Sequence, residues 1–541
     1  MTDRHDRRTV IAAVGAAIGG SLAVPILAAT VPRPSGQRAI ELGPIVQTAS
    51  GAVRGYRAGG VHVFRGLRYG APTGGANRFK APQQAEPWTG VAETLIAVGG
   101  PSAPQQPELP NALNAGFTSN APMSEDCLFL NLFTPAANDL GRRPVMVWIH
   151  GGGYSKGAGT APGYDGTHLA RDNDVVVVAL NHRLNAFGHL YLGDVLGPAY
   201  ADSGNVALLD IVAVLEWVRK NIGQFGGDPG NVTLFGQSSG GSKICALMAM
   251  PSAQGLFHKA IIESGATLKF RTLEAAVAAT DKALTVLGLT RTSAQTLLTL
   301  PTAAFLPFGG LAGSVGSGPV IDGHSLPRQP FEPDASPTAA GIPLLIGSAE
   351  TEMTIAAKPA DFAMDFSELR SRLAGQLGDK LDQVMAVYKA SRPTASPAEI
   401  YFFLTADLRT TKPTLLQAER QALQSHAPVY LYRMGWRTPV AGGKLMSPHG
   451  IELPFVWNNL EASRGLVGHG AELQPMATRM SRRWAAFART GNPNVPGHLH
   501  WSRFTPQTRA TMVFNVRDQL VNDPYRNERE LLLTVPAGPF G

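Results

Sequence analysis

The sequence predicts an α/β protein with a large, mostly parallel mixed sheet flanked by helices. Residues 145–149 (VMVWI) and 175–180 (VVVVAL) are continuous apolar runs, as expected for parallel strands buried on both faces. Between residues 208 and 222, apolar side chains recur every three or four positions and predict one face of a helix. Residues 232–235 (VTLF) then predict a strand that passes through a glycine-rich turn into a helical pattern over 242–250.

The rest of the chain extends this architecture at both ends. Residues 34–125 are rich in glycine and proline and predict a short N-terminal meander. Residues 344–346 and 429–432 are apolar runs that predict two later strands. Residues 267–340 and 355–427 alternate helical patterns with proline and glycine breaks. These two segments are expected to be helical insertions that wall a pocket.

The first 33 residues read as a targeting segment rather than as part of the fold. Arg7 and Arg8 precede an apolar stretch rich in alanine and glycine over residues 9–29. Paired arginines before a weakly hydrophobic core are typical of a twin-arginine signal. We therefore expect residues 34–541 to form one exported domain, periplasmic or secreted; an uncleaved N-terminal membrane anchor is the alternative. No other segment is apolar for long enough to span a membrane.

The amino-acid composition favours a soluble globular protein and argues against a nucleic-acid-binding one. Hydrophobic residues make up 44% of the 541-residue chain and charged residues 16%, as in soluble globular proteins. The formal net charge is +7, but no basic run interleaved with aromatic residues accompanies it, so nucleic acid is not an expected partner. Nothing resembles a metal cage or a dinucleotide site, and neither a metal nor a cofactor is expected.

A G-x-S-x-G motif marks the candidate nucleophile. Gly236-Gln237-Ser238-Ser239-Gly240 lies between the predicted strand and the predicted helix, where a sharp turn would lift the Ser238 hydroxyl clear of the sheet. The same pattern surrounds Ser155, but loop-forming residues follow it instead of a helix. The context therefore predicts Ser238, not Ser155, as the nucleophile.

The wider sequence around Ser238 resembles a known family. FGGDPGNVTLFGQSSGG at residues 225–241 is similar to the signature of the type-B carboxylesterase/lipase family, the cholinesterase-like branch of the α/β-hydrolases. SEDCLFLN at 124–131 and HGIELPFVW at 449–457 continue the similarity, which runs from about residue 45 to about residue 515. The resemblance implies an α/β-hydrolase fold and a serine hydrolase that cleaves small carboxylic esters through an acyl-enzyme.

A serine nucleophile needs a base, and the base needs a carboxylate that orients it. His449 opens the segment that resembles the family's H-G-x-E-L-P-F motif, which implies that it is the base. Residues 347–353 (GSAETEM) resemble the family's G-x-x-x-D-E-G, which implies Glu352 as the acid, with Glu350 as the alternative. In α/β-hydrolases these groups follow the chain order serine, acid, histidine, as they do here.

The resemblance also implies an oxyanion hole. His150-Gly151-Gly152-Gly153 follows a predicted strand, and glycines let the backbone approach a substrate closely. The expected N–H donors are Gly152, Gly153 and Ser239. Ser264 matches a supporting serine near the acid in relatives and is expected to assist Glu352.

The chain departs from the family's pattern in two ways. Gln237 stands before the nucleophile where relatives often carry glutamate, which removes a negative charge beside the active serine. Ala103 stands where the usual disulfide partner of Cys127 would be, so no disulfide is expected. The second cysteine, Cys245, is expected to pack in the core.

The sequence thus predicts an exported serine carboxylesterase with a Ser-His-Glu triad. An amidase or a transacylase could use the same groups, and a non-catalytic binding or adhesion protein is the alternative from another class. The oligomeric state and the physiological ester stay open.

Overall fold

The computed structural model describes residues 40–95, 99–310, 318–424 and 426–536. The chain from Glu41 onward forms one compact unit. The predicted signal segment, residues 1–33, lies outside the described residues.

Fifteen strands occur in the described part of the chain. They are β1 (Glu41–Thr48), β2 (Gly51–Ala58), β3 (Val61–Arg68), β4 (Val91–Glu93), β5 (Phe129–Thr134), β6 (Arg143–Ile149), β7 (Val176–Leu180), β8 (Gly227–Gln237), β9 (Lys259–Glu263), β10 (Arg271–Thr272), β11 (Val320–Ile321), β12 (Leu344–Ala349), β13 (Val429–Met434), β14 (Ala510–Phe514) and β15 (Gln519–Asn522).

One sheet contains most of these strands, in the order β1-β2-β3-β5-β7-β6-β8-β9-β12-β13-β14-β15. From β7 to β14, each neighbouring pair is parallel. Antiparallel pairing extends both margins of the sheet, through β1, β2, β3 and β5 at one side and β15 at the other. The short strand β4 pairs with β2 in parallel. The predicted mostly parallel mixed sheet, with its N-terminal meander, is confirmed.

Fourteen α-helices accompany the strands in the described residues. They are α1 (Thr167–Asn173), α2 (Asn185–His189), α3 (Gly193–Leu196), α4 (Val206–Asn221), α5 (Ser239–Leu247), α6 (Leu273–Val286), α7 (Phe366–Leu377), α8 (Leu381–Ser391), α9 (Pro397–Ala406), α10 (Lys412–Leu423), α11 (Leu453–Val456), α12 (Arg464–Val467), α13 (Leu473–Thr490) and α14 (Arg526–Leu533). A π-helical turn, Asp407–Thr411, joins α9 to α10.

Most helices lie in the segments for which the sequence predicted helical structure. The segment between β9 and β12 contains α6 and three 3-10 helices, and the segment between β12 and β13 contains α7 to α10. The helix after the nucleophile begins at Ser239 rather than at the predicted residue 242, because the turn takes up Ser238 alone.

Both faces of the sheet are covered by hydrophobic core. Successive residues of β6 alternate between the two sides: Val147 belongs to one buried cluster, and Trp148 belongs to another with Phe235 of β8. This explains why β6 is apolar throughout, since neither face meets water.

Candidate active site

The predicted nucleophile lies on a sharp turn between a strand and a helix. β8 ends at Gln237, α5 begins at Ser239, and Ser238 between them has φ 58° and ψ −131°. A non-glycine residue in this region is strained and persists only where its surroundings hold it. Two backbone hydrogen bonds hold it: Ser238 N–H donates to Glu263 O at 2.8 Å, and Ser242 N–H donates to Ser238 O at 3.0 Å.

The two glycines of the motif are required by close packing. A Cβ atom on Gly240 would lie 2.0 Å from the carbonyl oxygen of Ile149, at the end of β6. A Cβ atom on Gly236 would lie 2.8 Å from that same oxygen. Neither contact is tolerable, so the turn that presents Ser238 admits no larger residue at either position.

The second G-x-S-x-G motif has a different structure. Ser155 lies in a loop turn, and its N–H and its hydroxyl both donate to Gly152 O, at 3.2 and 3.4 Å. No helix follows it directly in the described chain. Ser155 lacks the strand–turn–helix context, as the sequence predicts.

Glu352 and His449 contact each other at the edge of the sheet where β8 ends and Ser238 begins the turn. Glu352 follows β12, is 1% exposed, and accepts a hydrogen bond from Ala349 N–H at 2.8 Å. Its other carboxylate oxygen accepts a short hydrogen bond from Nδ1 of His449. The N–H of His449 also donates to Glu352 O at 2.9 Å, which fixes the two segments to each other.

The alternative carboxylate, Glu350, has another partner. Its side chain faces Arg433, with 3.8 Å between the nearest charged atoms. Arg433 lies on β13 and pairs at 3.4 Å with Asp407 of the π-helical turn. Glu350 thus belongs to a separate charge cluster, and of the two glutamates it is Glu352 that contacts the imidazole.

The pKa of His449 lies above its usual value. Burial lowers this pKa, but the charge of Glu352 and the hydrogen bond to it favour the imidazolium and outweigh the effect of burial. The Arg409 charge opposes the rise. The His449 imidazole is therefore a stronger base than a free histidine side chain.

The second ring nitrogen of His449 contacts Gln237. His449 Nε2 lies 2.9 Å from the side-chain amide nitrogen of Gln237, and the hydrogen bonds of the described residues include none from Ser238 Oγ to His449. Catalytic hydrogen bonds are often loose in ligand-free enzymes and tighten when substrate binds. The structure thus brings the three predicted residues to one edge without joining Ser238 to the base.

The glycine-rich loop after β6 adjoins the nucleophile. A Cβ atom on Gly151 would lie 3.1 Å from Ser238 Cβ. Gly152 and Gly153 have φ of 109° and 62°, so their N–H groups point where only glycine backbone allows. The N–H groups of these two residues and of Ser239 have no acceptor among the described residues. The assignment of these three N–H groups to an oxyanion hole stays a prediction, supported by the approach of the loop to Ser238 at Gly151.

Ser264 does not contact Glu352 directly. The hydrogen bonds of Glu352 within the described chain go to Ala349 and His449. The Ser264 hydroxyl is buried and has no hydrogen-bond partner among the described residues. It does act to lower the pKa of Glu452, a fully buried carboxyl group three residues after His449.

Glu452 is a residue that the sequence analysis missed. Burial raises its pKa to about 7, and the charge of Glu352 adds to the rise. The signal was present, since Glu452 is the glutamate of the H-G-x-E-L-P-F pattern, but a pattern alone does not show that this side chain is fully buried close to the charge of Glu352.

Both cysteines are buried and free. Cys127 shares a buried cluster with Ala103, the residue at the expected partner position. Cys245 lies on α5, and its thiol contacts Gln417 at 3.4 Å. Burial raises the pKa of both thiols, that of Cys245 to about 12.

The described residues offer neither a metal site nor a membrane-spanning helix. They contain no cluster of three or more histidine, cysteine, aspartate or glutamate side chains that could hold a metal ion. None of their helices combines the length and apolarity needed to cross a bilayer.

The site combines a serine hydroxyl on a strained turn, an imidazole held by a carboxylate, and a glycine loop with N–H donors. These groups suit the attack of serine on a carbonyl carbon. That is the chemistry of a serine hydrolase. Comparison with known protein families defines the class of hydrolase. The chain belongs to the carboxylesterase family, whose model matches residues 43–531.

Curated relatives agree over most of their length. A para-nitrobenzyl esterase of Bacillus subtilis is 36% identical over 502 residues, covering 90% of this chain and 98% of the relative. A liver carboxylesterase of Sus scrofa is 32% identical over 510 residues, covering 85% and 88%.

Solved structures show the same fold. A carboxylesterase of Geobacillus stearothermophilus superposes with a TM-score of 0.79 at 36% identity, covering 90% of this chain and 99% of that one. The predicted α/β-hydrolase fold is confirmed, and the chain is a carboxylic-ester hydrolase acting on small-molecule esters. The non-catalytic alternative is set aside.

Proposed function

We propose that the chain hydrolyses esters through an acyl-enzyme on Ser238, with His449 as the base and Glu352 as the orienting carboxylate. The observation that carries the proposal is the hydrogen bond between Glu352 and His449 Nδ1 at the edge where Ser238 turns out of the sheet. With Nδ1 donating to Glu352, Nε2 is the acceptor that can take a proton from serine once the Gln237 amide has moved away.

In the first half-reaction, Ser238 Oγ bonds to the ester carbonyl carbon while its proton passes to Nε2 of His449. The carbonyl oxygen becomes an oxyanion, which the N–H groups of Gly152, Gly153 and Ser239 stabilise. Collapse of the tetrahedral adduct breaks the bond to the alcohol oxygen, which leaves with the proton from His449. The products are the free alcohol and an acyl-Ser238 ester.

In the second half-reaction, water attacks the acyl carbon and gives a proton to Nε2 of His449. A second oxyanion forms and collapses, Ser238 Oγ leaves, and His449 returns the proton to it. The carboxylic acid is released and the enzyme is regenerated. Glu352 stays ionised throughout and stabilises the imidazolium in both steps.

Gln237 must yield for this cycle to begin. Its amide nitrogen lies against Nε2 of His449, the atom that has to face Ser238. The contact is compatible with the mechanism because an uncharged amide is displaced at lower cost than a carboxylate paired with an imidazolium.

The acyl-enzyme can be tested by partitioning. Esters of one acid with different alcohols are hydrolysed in dilute methanol, and the ratio of acid to methyl ester is measured. A shared acyl-Ser238 intermediate gives one ratio for every alcohol. Ratios that change with the alcohol would rule the intermediate out, and phosphorylation by a diethyl phosphate inhibitor, located by mass spectrometry, should fall on Ser238.

We further propose that neutral or anionic, soluble, short-to-medium esters are preferred. Gln237 places no negative charge beside Ser238, and the positive charge of Arg409 acts on His449 at the same edge. A related protein is named para-nitrobenzyl esterase, so para-nitrobenzyl esters are a suitable first substrate. An ester panel that varies acyl length and alcohol charge tests this preference; faster turnover of long-chain triglycerides would overturn it.

Residues 1–33 are proposed to export the chain, and the support is the paired Arg7-Arg8 before an apolar stretch. Replacing both arginines with lysine should retain the protein in the cytoplasm of the expressing bacterium. Cell fractionation with an immunoblot measures this, and unchanged export of the double variant would exclude a twin-arginine signal.

A further inference from the structure

A fully buried lysine lies behind the loop that carries Gly152 and Gly153. Lys243 belongs to α5 and is 0% exposed. Its Nζ donates a hydrogen bond to His150 O at 3.2 Å, and it lies 5.4 Å from the ring centroid of Tyr154. No carboxylate forms an ion pair with Lys243 among the described residues.

Such a group is costly to bury. An ammonium ion without a carboxylate partner loses its hydration, and burial accordingly lowers the pKa of Lys243 to about 7. The surrounding histidines His150, His182 and His189 offer no compensating charge, since burial and the Lys243 charge lower their pKa values too. A leucine or methionine would fill this site with less penalty, so packing alone does not account for a lysine.

The position of Lys243 on α5 suggests its role. Ser239 and Lys243 are four residues apart and therefore face the same side of the helix. The Ser239 hydroxyl accepts a hydrogen bond from Tyr154 N–H at 3.3 Å, at the far end of the loop. Lys243 bonds to His150 O at the near end. One face of α5 thus holds both ends of residues 150–154.

The loop needs such anchors because its middle has no side chains. Gly151, Gly152 and Gly153 cannot fix their own orientation by packing, and glycine backbone is the most free to move. Meanwhile Ser239, at the start of α5, supplies the third N–H donor. The relative position of α5 and the loop therefore decides whether all three N–H groups converge on one point.

We propose that Lys243 is a positioning residue, which fixes the glycine loop to α5 so that the N–H groups of Gly152, Gly153 and Ser239 converge on the oxyanion. This inference rests on the oxyanion hole of the proposed function. It predicts that loss of Lys243 weakens binding of the tetrahedral oxyanion more than binding of the planar ester.

The test compares Lys243→Met with wild type, since methionine is of similar length and cannot donate. We expect kcat to fall by about 10- to 100-fold. Complete loss of an oxyanion donor typically lowers kcat by about 100- to 1000-fold, and a misplaced donor lowers it less. KM should stay within about twofold. The inhibition constant of a trifluoromethyl ketone, which forms an oxyanionic adduct with serine, should rise by a factor similar to the loss in kcat.

Lys259→Met is the matched control. Lys259 is also a buried lysine, and burial lowers its pKa to about 8. It begins β9 at the end of the strand remote from Glu263, which pairs with Gln237. Both variants should lower the melting temperature, but only Lys243→Met should lose kcat and ketone affinity. Equal effects in the two variants, or a rise in KM with kcat unchanged, would overturn the proposal.

Lys243→Arg covers the case in which the methionine variant does not fold. A guanidinium keeps both the charge and the donor, so kcat and ketone affinity should stay within about fivefold of wild type if donation to His150 O matters. A folded arginine variant with a kcat loss of 100-fold or more would contradict the role. Failure of the proposed function looks different: the trifluoromethyl ketone would then not modify Ser238 in the wild-type enzyme.

Discussion

The ring nitrogen Nε2 of His449 lies 2.9 Å from the amide nitrogen of Gln237, the residue directly before Ser238. Because Nδ1 faces the Glu352 carboxylate, Nε2 is the acceptor in this contact and Gln237 is the donor. A glutamate at the same position would instead pair with an imidazolium. This contact is one that a neutral imidazole makes, and Gln237 leaves the site without a carboxylate for cationic alcohols.

The nucleophile assignment predicts a large difference between two serines. Ser238→Ala should lower kcat by about 10⁶-fold, as loss of a triad nucleophile does elsewhere. Ser155→Ala should keep most activity, since Ser155 bonds only within its own turn. Steady-state hydrolysis of a para-nitrophenyl ester measures both, and an organophosphate label on Ser155 would refute the assignment.

The acid assignment predicts that Glu352→Gln cripples turnover and leaves the fold intact, whereas Glu350→Gln has a mild effect. Glu352 also raises the pKa of His449, and the base must be neutral to act. The acid limb of kcat/KM in the residual activity of Glu352→Gln should therefore move to lower pH. Profiles of rate against pH check this, and the reverse pattern between the two variants would make Glu350 the orienting carboxylate.

Glu452 predicts a pH dependence of stability. Burial raises its pKa to about 7, whereas an unfolded glutamate titrates near about 4.3, so between these values the folded state holds the extra proton. The free energy of unfolding should therefore fall as pH rises through this window, by up to about 4 kcal/mol. Glu452→Gln should remove that slope. Urea unfolding at pH 5 and pH 7.5 measures it, and an unchanged slope would contradict the burial argument.

The free thiols predict insensitivity to reductant. Cys127 and Cys245 are both buried and unpaired, so dithiothreitol should not change the melting temperature. Their raised pKa values should make both react slowly with iodoacetamide in the folded protein. After denaturation, intact mass should show two modified cysteines; fewer than two would indicate a disulfide.

Gln237→Glu should shift substrate preference modestly towards cationic esters. One added charge in a partly solvated site is worth about 1 kcal/mol, or roughly fivefold in rate. The measurement is kcat/KM for a choline ester and for its uncharged 3,3-dimethylbutyl isostere, in both enzymes. A wild type that already prefers the choline ester tenfold would defeat the charge argument.

Local sequence patterns were sufficient to predict much of the fold and part of the candidate active site. The strands β6 and β7 were predicted because strands covered on both faces are apolar throughout, and the turn at Ser238 because glycines flank it. The family resemblance favoured Glu352 but left Glu350 as an alternative, because their distinct partners, His449 and Arg433, come from distant segments.

The residues that the sequence did not reveal depend on contacts across the fold. Lys243 has the spacing of an ordinary helical residue, and its role emerges only where α5 meets the loop after β6. Glu452 lies in a recognised motif, but its complete burial close to the charge of Glu352 depends on the packing of distant segments. The support that Ser264 is expected to give Glu352 stays a prediction, since no hydrogen bond joins the two residues in the described chain.

The parallel sheet has a practical consequence for altering this enzyme. Ser238 follows β8, Glu352 follows β12 and His449 lies after β13, so the reacting groups are carried by the sheet. Helices α6 to α10 lie in the two long connections between those strands. Substitutions in these helices leave the strands that carry the reacting groups unchanged, which makes the two connections the natural targets for directed evolution.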